Sequence, residues 1–242
     1  MDTKVMNLSF RQKQVLKTIV EEYVKHSMAV GSSHIVEMLA EQVSSATIRN
    51  VMAELTDFGL LAQPHTSAGR IPTEAGFKAY IQTMMVEQKE LSLKQQAVLE
   101  AHFKKLKNLQ ERFKEAARML SELSGSVGLL MDDTDKVYMS GLSNLPKLPE
   151  FRDEEFGSEF MELLENPAES LKQMSKSGSS QMRVLFGSDN PMMRNASVVI
   201  TRFGVGGKKV ISVIGPMRMS YGKTIPAIEF IAKILDDSGN KQ

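Results

Sequence analysis

Ser45, Thr47, Arg49 and Asn50 crowd into one short segment, and their side chains are of the types that grip a polyanion and read the edges of its bases. Arg49 offers a planar fork of donors that matches guanine O6 and N7, Asn50 pairs with adenine through one donor and one acceptor, and the Ser45 and Thr47 hydroxyls suit phosphate oxygens near a helix N-terminus. Interleaved with them, Ile48, Val51, Met52 and Leu55 recur at i, i+3, i+4 and i+7, so the polar set falls largely on the far side of an amphipathic helix. A second set follows at His65, Thr66, Ser67 and Arg70, in a polar turn around Gly69. There an extended cation can enter a narrow minor groove or meet a phosphate.

These residues need elements to hold them, and the flanking sequence supplies the signals. Ser9 with Gln12 three residues on makes a capping box for a helix that carries Val15, Leu16, Ile19, Val20 and Tyr23 and ends near His26. After Gly31, a cap at Ser32 or Ser33 opens a second helix with Ile35, Val36, Leu39 and Ala40 on one face. Ser44 or Ser45 caps the third helix, and Gly59 ends it in a left-handed conformation. Leu60 to Gln63 and Arg70 to Ile71 form the two strands of a wing. Pro72 stops the return strand, and Thr73 caps a helix through Phe77, Tyr80, Ile81 and Met84. Three helices, a wing and an exit helix make a winged helix-turn-helix, whose third helix enters the major groove.

Residues 87–124 contain no Gly or Pro, and Leu99, Phe103, Leu106, Leu109, Phe113, Ala117, Leu120 and Leu123 recur by threes and fours. This spacing predicts one long helix, whose stripe is either a seam between two chains or a face laid on its own domain. From Gly125 the composition shifts to short apolar runs with Gly, Asp, Asn and Pro. Helical sequence returns over 154–174 with an interruption at Asn166 and Pro167, MRVLF (182–186) is a strand, and 196–214 forms a hairpin across GVGG (204–207). A last helix carries Ile225, Ile228, Ile231, Ala232 and Leu235. The fold class is α+β, organised as a DNA-binding domain over 1–86, a helical linker or dimerisation segment over 87–124, and a regulatory domain over 125–242.

Composition narrows the function. The chain has 242 residues, 42% hydrophobic and 24% charged, enough for one large or two small domains. Lys plus Arg number 30 against 29 Asp plus Glu, and the first 80 residues carry eight of each sign, so a DNA surface has to come from local clustering of cations. Zero Cys excludes disulfides, a thiolate nucleophile and Cys-ligated metal. The Asp132, Asp133 and Asp135 cluster lacks a later bidentate Glu and reads as a solvated turn. GVGG lies between strands without a following Lys-Ser/Thr and is a hairpin turn, not a phosphate cradle. No nucleophile with a base is legible, so the expectation is no enzyme, no cofactor and no metal. The N-terminal residues lack the apolar core of a signal peptide and no run reaches the roughly 20 apolar residues of a membrane span, which leaves the cytoplasm as the expected location.

With these motifs in view, the sequence resembles the bacterial heat-inducible transcription repressors of the HrcA family. SSATIRNVMAEL (44–55) and QPHTSAGRIPTEAGF (63–77) are close to that family's N-terminal stretch, and YMSGLSNLPKLPEF (138–151), FGVGG (203–207) and IGPMRMSY (214–221) to its C-terminal motifs. The resemblance implies a homodimeric repressor that binds an inverted-repeat operator upstream of chaperone operons, depends on a GroEL-type chaperonin for activity, and carries a GAF-like C-terminal domain. By position it makes Ser45, Thr47, Arg49 and Asn50 reading-helix residues, and His65, Thr66, Ser67 and Arg70 wing residues. Family members are typically longer, with an inserted dimerisation domain before the YMSGLSNL motif; here about a dozen residues fill that interval, too few for a domain. A metabolite-sensing winged-helix regulator, and a protein-interaction module that has kept the helical fold without binding DNA, are the competing readings.

Overall fold

Ser9 Oγ accepts from the Gln12 backbone at 3.2 Å while Gln12 Oε1 accepts from the Ser9 backbone at 2.8 Å, and this reciprocal cap starts α1 (Phe10–His26). The computed structural model describes residues 8–39, 43–65, 68–86, 90–175 and 182–239, and the chain divides into two compact units, Met1–Gln88 and Lys89–Gln242.

In the first unit, α2 (Ser32–Met38) begins from Gly31 with no side-chain cap. The expected Ser32 or Ser33 cap is absent, since the Ser32 hydroxyl lies 2.9 Å from Ser45 Oγ on the next helix. Ile35 of α2 is fully buried; Ala40 lies outside the described residues. α3 (Ser45–Asp57) is capped by Ser44 and followed by Gly59 at φ +74°, the left-handed conformation expected there. β1 (Leu61–Ala62) pairs antiparallel with β2 (Ile71–Pro72), with Leu61 opposite Pro72, and Pro72 is the last residue of its strand. Thr73 Oγ1 accepts from the Gly76 backbone at 3.1 Å at the start of α4 (Glu74–Val86). Val15, Leu16, Ile19 and Val20 of α1, Ile48 and Leu55 of α3, and Phe77 and Ile81 of α4 are buried. The Met84 side chain is outside the description.

In the second unit the expected single helix over 87–124 is two: α5 (Leu93–Lys104) and α6 (Leu109–Ser124). Asn108 makes the break. Its Oδ1 accepts from the Glu111 backbone at 2.8 Å, and Glu111 Oε2 accepts from the Lys107 backbone at 3.1 Å, so the chain restarts a helix there without Gly or Pro. The turn separates two apolar sets. Leu99 and Phe103 of α5 are buried, and α5 packs against α9 (Tyr221–Gly239), while Phe113, Ala117 and Leu120 of α6 are buried against the sheet. The stripe of α6 therefore serves its own domain, which decides between the two sequence readings for that half.

β3 (Val127–Met131), β4 (Val137–Ser140), β5 (Arg183–Phe186), β6 (Ala196–Phe203) and β7 (Lys209–Pro216) form one antiparallel sheet in the order β4-β3-β7-β6-β5. Alternation along the strands sends Leu129, Val198, Ile200 and Ile214 to one face, where Phe160, Leu163 and Leu171 of α7 (Glu154–Glu165) and α8 (Pro167–Ser175) cover them. α6 and α9 lie on the other face. The interruption expected at Asn166 and Pro167 falls between α7 and α8. A helical N-terminal unit followed by a helix-covered antiparallel sheet is the α+β class the sequence pattern calls for.

Candidate nucleic-acid interface

α3 buries Ile48, Val51, Met52 and Leu55 and exposes Ala46, Thr47, Arg49, Asn50 and Ala53. Ser44 Oγ accepts from the Thr47 backbone at 3.1 Å and lies 2.9 Å from Thr47 Oγ1, so the first turn is held and the Thr47 hydroxyl is fixed beside it. The two flanks of the exposed face differ. On one, Glu54 accepts from Gln12 Nε2 of α1 at 2.8 Å. On the other, Ser45, Arg49, Met52 and Thr56 follow one another by fours and threes along the edge that faces α2 and the wing.

Arg49 leans toward that second edge. Its Nε donates to Ser32 Oγ at 3.3 Å and its Nη2 to Ser45 Oγ at 3.4 Å. Arg70 arrives from the wing: its backbone exchanges two 2.9 Å hydrogen bonds with Val30, just before α2, and its Nε donates to Thr56 Oγ1 at 3.0 Å. Gly69 permits this approach, because a Cβ there would sit 2.2 Å from the Val30 carbonyl oxygen. The result is an open cleft of about 420 Å³ lined by Ser32, Ser33, Arg49, Gln63 and Arg70 among others.

Of the residues singled out from sequence, the structure therefore brings Ser45, Arg49 and Arg70 to one edge of α3 and leaves Thr47 and Asn50 on its open face. His65 is exposed in the wing turn, where its carbonyl accepts from the Ala68 backbone at 2.8 Å, away from this edge of hydrogen bonds; Thr66 and Ser67 lie outside the described residues. Nothing in the sequence places Ser32, read there only as a cap, or Thr56 at this site, since only the packing of α2 and the wing on α3 brings them to the arginines.

The helices that position α3 are themselves tied. Glu22 of α1, with its side chain 5% exposed, accepts from Lys25 Nζ at 2.6 Å and lies 2.8 Å from His34 Nε2 of α2. The Lys25 ammonium, and after it His34, holds the Glu22 carboxyl below the usual carboxylate range against the opposing effect of burial. Among the described residues no cluster of His, Cys, Asp or Glu has the geometry of a metal site, and no helix is long and apolar enough to cross a membrane.

A short helix pair, a solvent-facing third helix and a wing locked to the loop before the second helix define a winged helix-turn-helix. Comparison with known proteins agrees and goes further. The family model for the winged helix-turn-helix transcription repressor, HrcA DNA-binding, matches residues 7–89, and that for the HrcA protein C terminal domain matches residues 85–225. The chain belongs to the HrcA family of heat-inducible transcription repressors. It is 43% identical over 126 residues to the repressor of Thermomicrobium roseum, an alignment that takes in 52% of this chain and 36% of that protein. To the repressor of Halalkalibacterium halodurans it is 22% identical over 332 positions, covering 94% of this chain and 96% of that one. That alignment is longer than this 242-residue chain, so the relative carries residues with no counterpart here. A crystal structure of a hypothetical protein, 18% identical, superposes with a TM-score of 0.75 over 96% of this chain and 97% of its own, and shares the fold.

Proposed function

We propose that this chain represses transcription of heat-shock (chaperone) operons by binding double-stranded DNA at an inverted repeat, with α3 in the major groove and the wing beside it. The observation that carries this reading is the open face of α3, where Thr47 and Asn50 stand exposed on a helix whose other side is fully engaged in the core. Ser45, Arg49 and Arg70 adjoin it, and the same reading assigns DNA contacts to His65, Thr66 and Ser67. The reading places the protein in the cytoplasm and makes it a homodimer, with residues 1–86 binding DNA and 125–242 forming a shortened GAF-like regulatory domain through which a GroEL-type chaperonin acts. Within 87–124 dimerisation falls to α5, whose Leu93 and Val98 are 83% and 61% exposed, because the α6 stripe is occupied by its own sheet.

Fluorescence anisotropy with the full chain on an inverted-repeat duplex, and on the same duplex with one half-site scrambled, tests the proposal across a salt series. Tight, salt-dependent binding that favours the intact repeat by tenfold or more is expected. Equal binding to both duplexes, or none at low salt, refutes it.

A further inference from the structure

Arg49 is the residue whose type most invites a base-reading role, and its placement argues against one. Helical periodicity puts Ala46, Asn50 and Ala53 opposite the buried stripe, where a major-groove floor would lie, and Arg49 one step around toward α2. Its guanidinium is drawn further that way by the Ser32 and Ser45 hydroxyls, which are 2.9 Å from each other. Arg70 comes to the same cleft from the opposite wall, steered by its hydrogen bond to Thr56 and by the backbone bridge to Val30. The cleft thus holds two guanidinium groups with Ser32 and Ser33 hydroxyls beside them, and among the described residues that line it none is a carboxylate. Two guanidiniums flanking an open, hydroxyl-lined cleft match the charge and the acceptor geometry of a phosphodiester.

Resting on the DNA-binding reading above, we propose that Arg49 and Arg70 clamp one DNA backbone phosphate in the cleft between α2, α3 and the wing, and that Asn50, not Arg49, reads a base. The clamp fixes the register of α3 on the duplex, and a phosphate contact carries no sequence information of its own. The hydrogen bonds that hold Arg49 to Ser32 and Ser45 and Arg70 to Thr56 then orient the two guanidinium groups as a unit across α3 and the wing.

The test uses the full chain with the operator duplex, the half-scrambled duplex, and the variants Arg49→Ala, Asn50→Ala and the double Arg49→Ala/Arg70→Gln, in which the Gln keeps an amide donor for Thr56. For Arg49→Ala, affinity should fall by about tenfold on both duplexes alike. For the double variant, the slope of log affinity against log salt should become shallower by about 1.8, the value for one phosphate in each protomer of the dimer. Asn50→Ala should instead erase preference between the duplexes. Inorganic phosphate should compete no better than chloride at equal ionic strength, which distinguishes a DNA phosphate from a free-anion site. A loss for Arg49→Ala confined to the operator makes Arg49 a base reader and overturns the inference. A slope change near twice that value means two separate phosphates in each protomer and overturns the clamp. Failure of the unaltered chain to bind either duplex overturns the DNA-binding reading itself, a result distinct from both.

Discussion

Glu22 shows how one buried carboxylate organises the helices beneath the candidate interface. It joins Lys25 on its own helix to His34 on α2 and so ties α2 to α1. Lys25 contributes most to keeping its folded pKa below the ordinary value of 4.5. A lowered folded value means that the contribution is complete above about pH 4.5 and is lost as pH falls through the folded pKa. Glu22→Gln should therefore destabilise the fold at pH 7, by about 1 kcal/mol because both partners are substantially exposed. The difference in melting temperature from the unaltered chain should shrink below pH 4.5; a difference that holds constant from pH 7 to pH 3 would remove Glu22 from this role. At this scale the sequence shows the identity of Arg49, Asn50 and Arg70 and their place on the third helix and the wing. The direction of each side chain is not legible, since Arg49 turns on two hydroxyls, Ser32 and Ser45, thirteen positions apart in the chain.

Among the elements, α1, α3, the wing and α4 are legible because caps, apolar spacing and turn residues all act within a few residues of one another. Ser9, Ser44 and Thr73 each cap the helix expected of them. The break between α5 and α6 is not legible, because its signal is a single Asn in a run of strong helix formers, and the gain comes from seating Phe113, Ala117 and Leu120 on a sheet formed far along the chain. Asn108→Ala should cost about 1 kcal/mol through loss of that cap. Urea unfolding followed by circular dichroism should show a lower midpoint with an unchanged slope. An unaltered midpoint would mean that packing alone sets the break.

For the whole molecule, a net charge of +1 leaves DNA affinity to the local grouping of a few cations, so it should weaken steeply as salt rises. The exposed Leu93 and Val98 of α5 give the proposed dimer a test of its own. Leu93→Glu with Val98→Glu should shift sedimentation from dimer to monomer and remove the preference for an intact repeat, while leaving the melting temperature nearly unchanged. A dimer that survives both substitutions places the contact elsewhere. The sequence by itself determined the winged helix, the strand-rich second unit and the family, because each depends on periodicity, capping or motif spacing read over short distances. Tertiary structure alone decided that α6 serves its own domain, that Gly69 lets the wing reach Val30, and that Arg49 and Arg70 share a cleft. Those outcomes depend on which distant surfaces meet, and contacts between residues far apart in the chain leave no local pattern from which to read them.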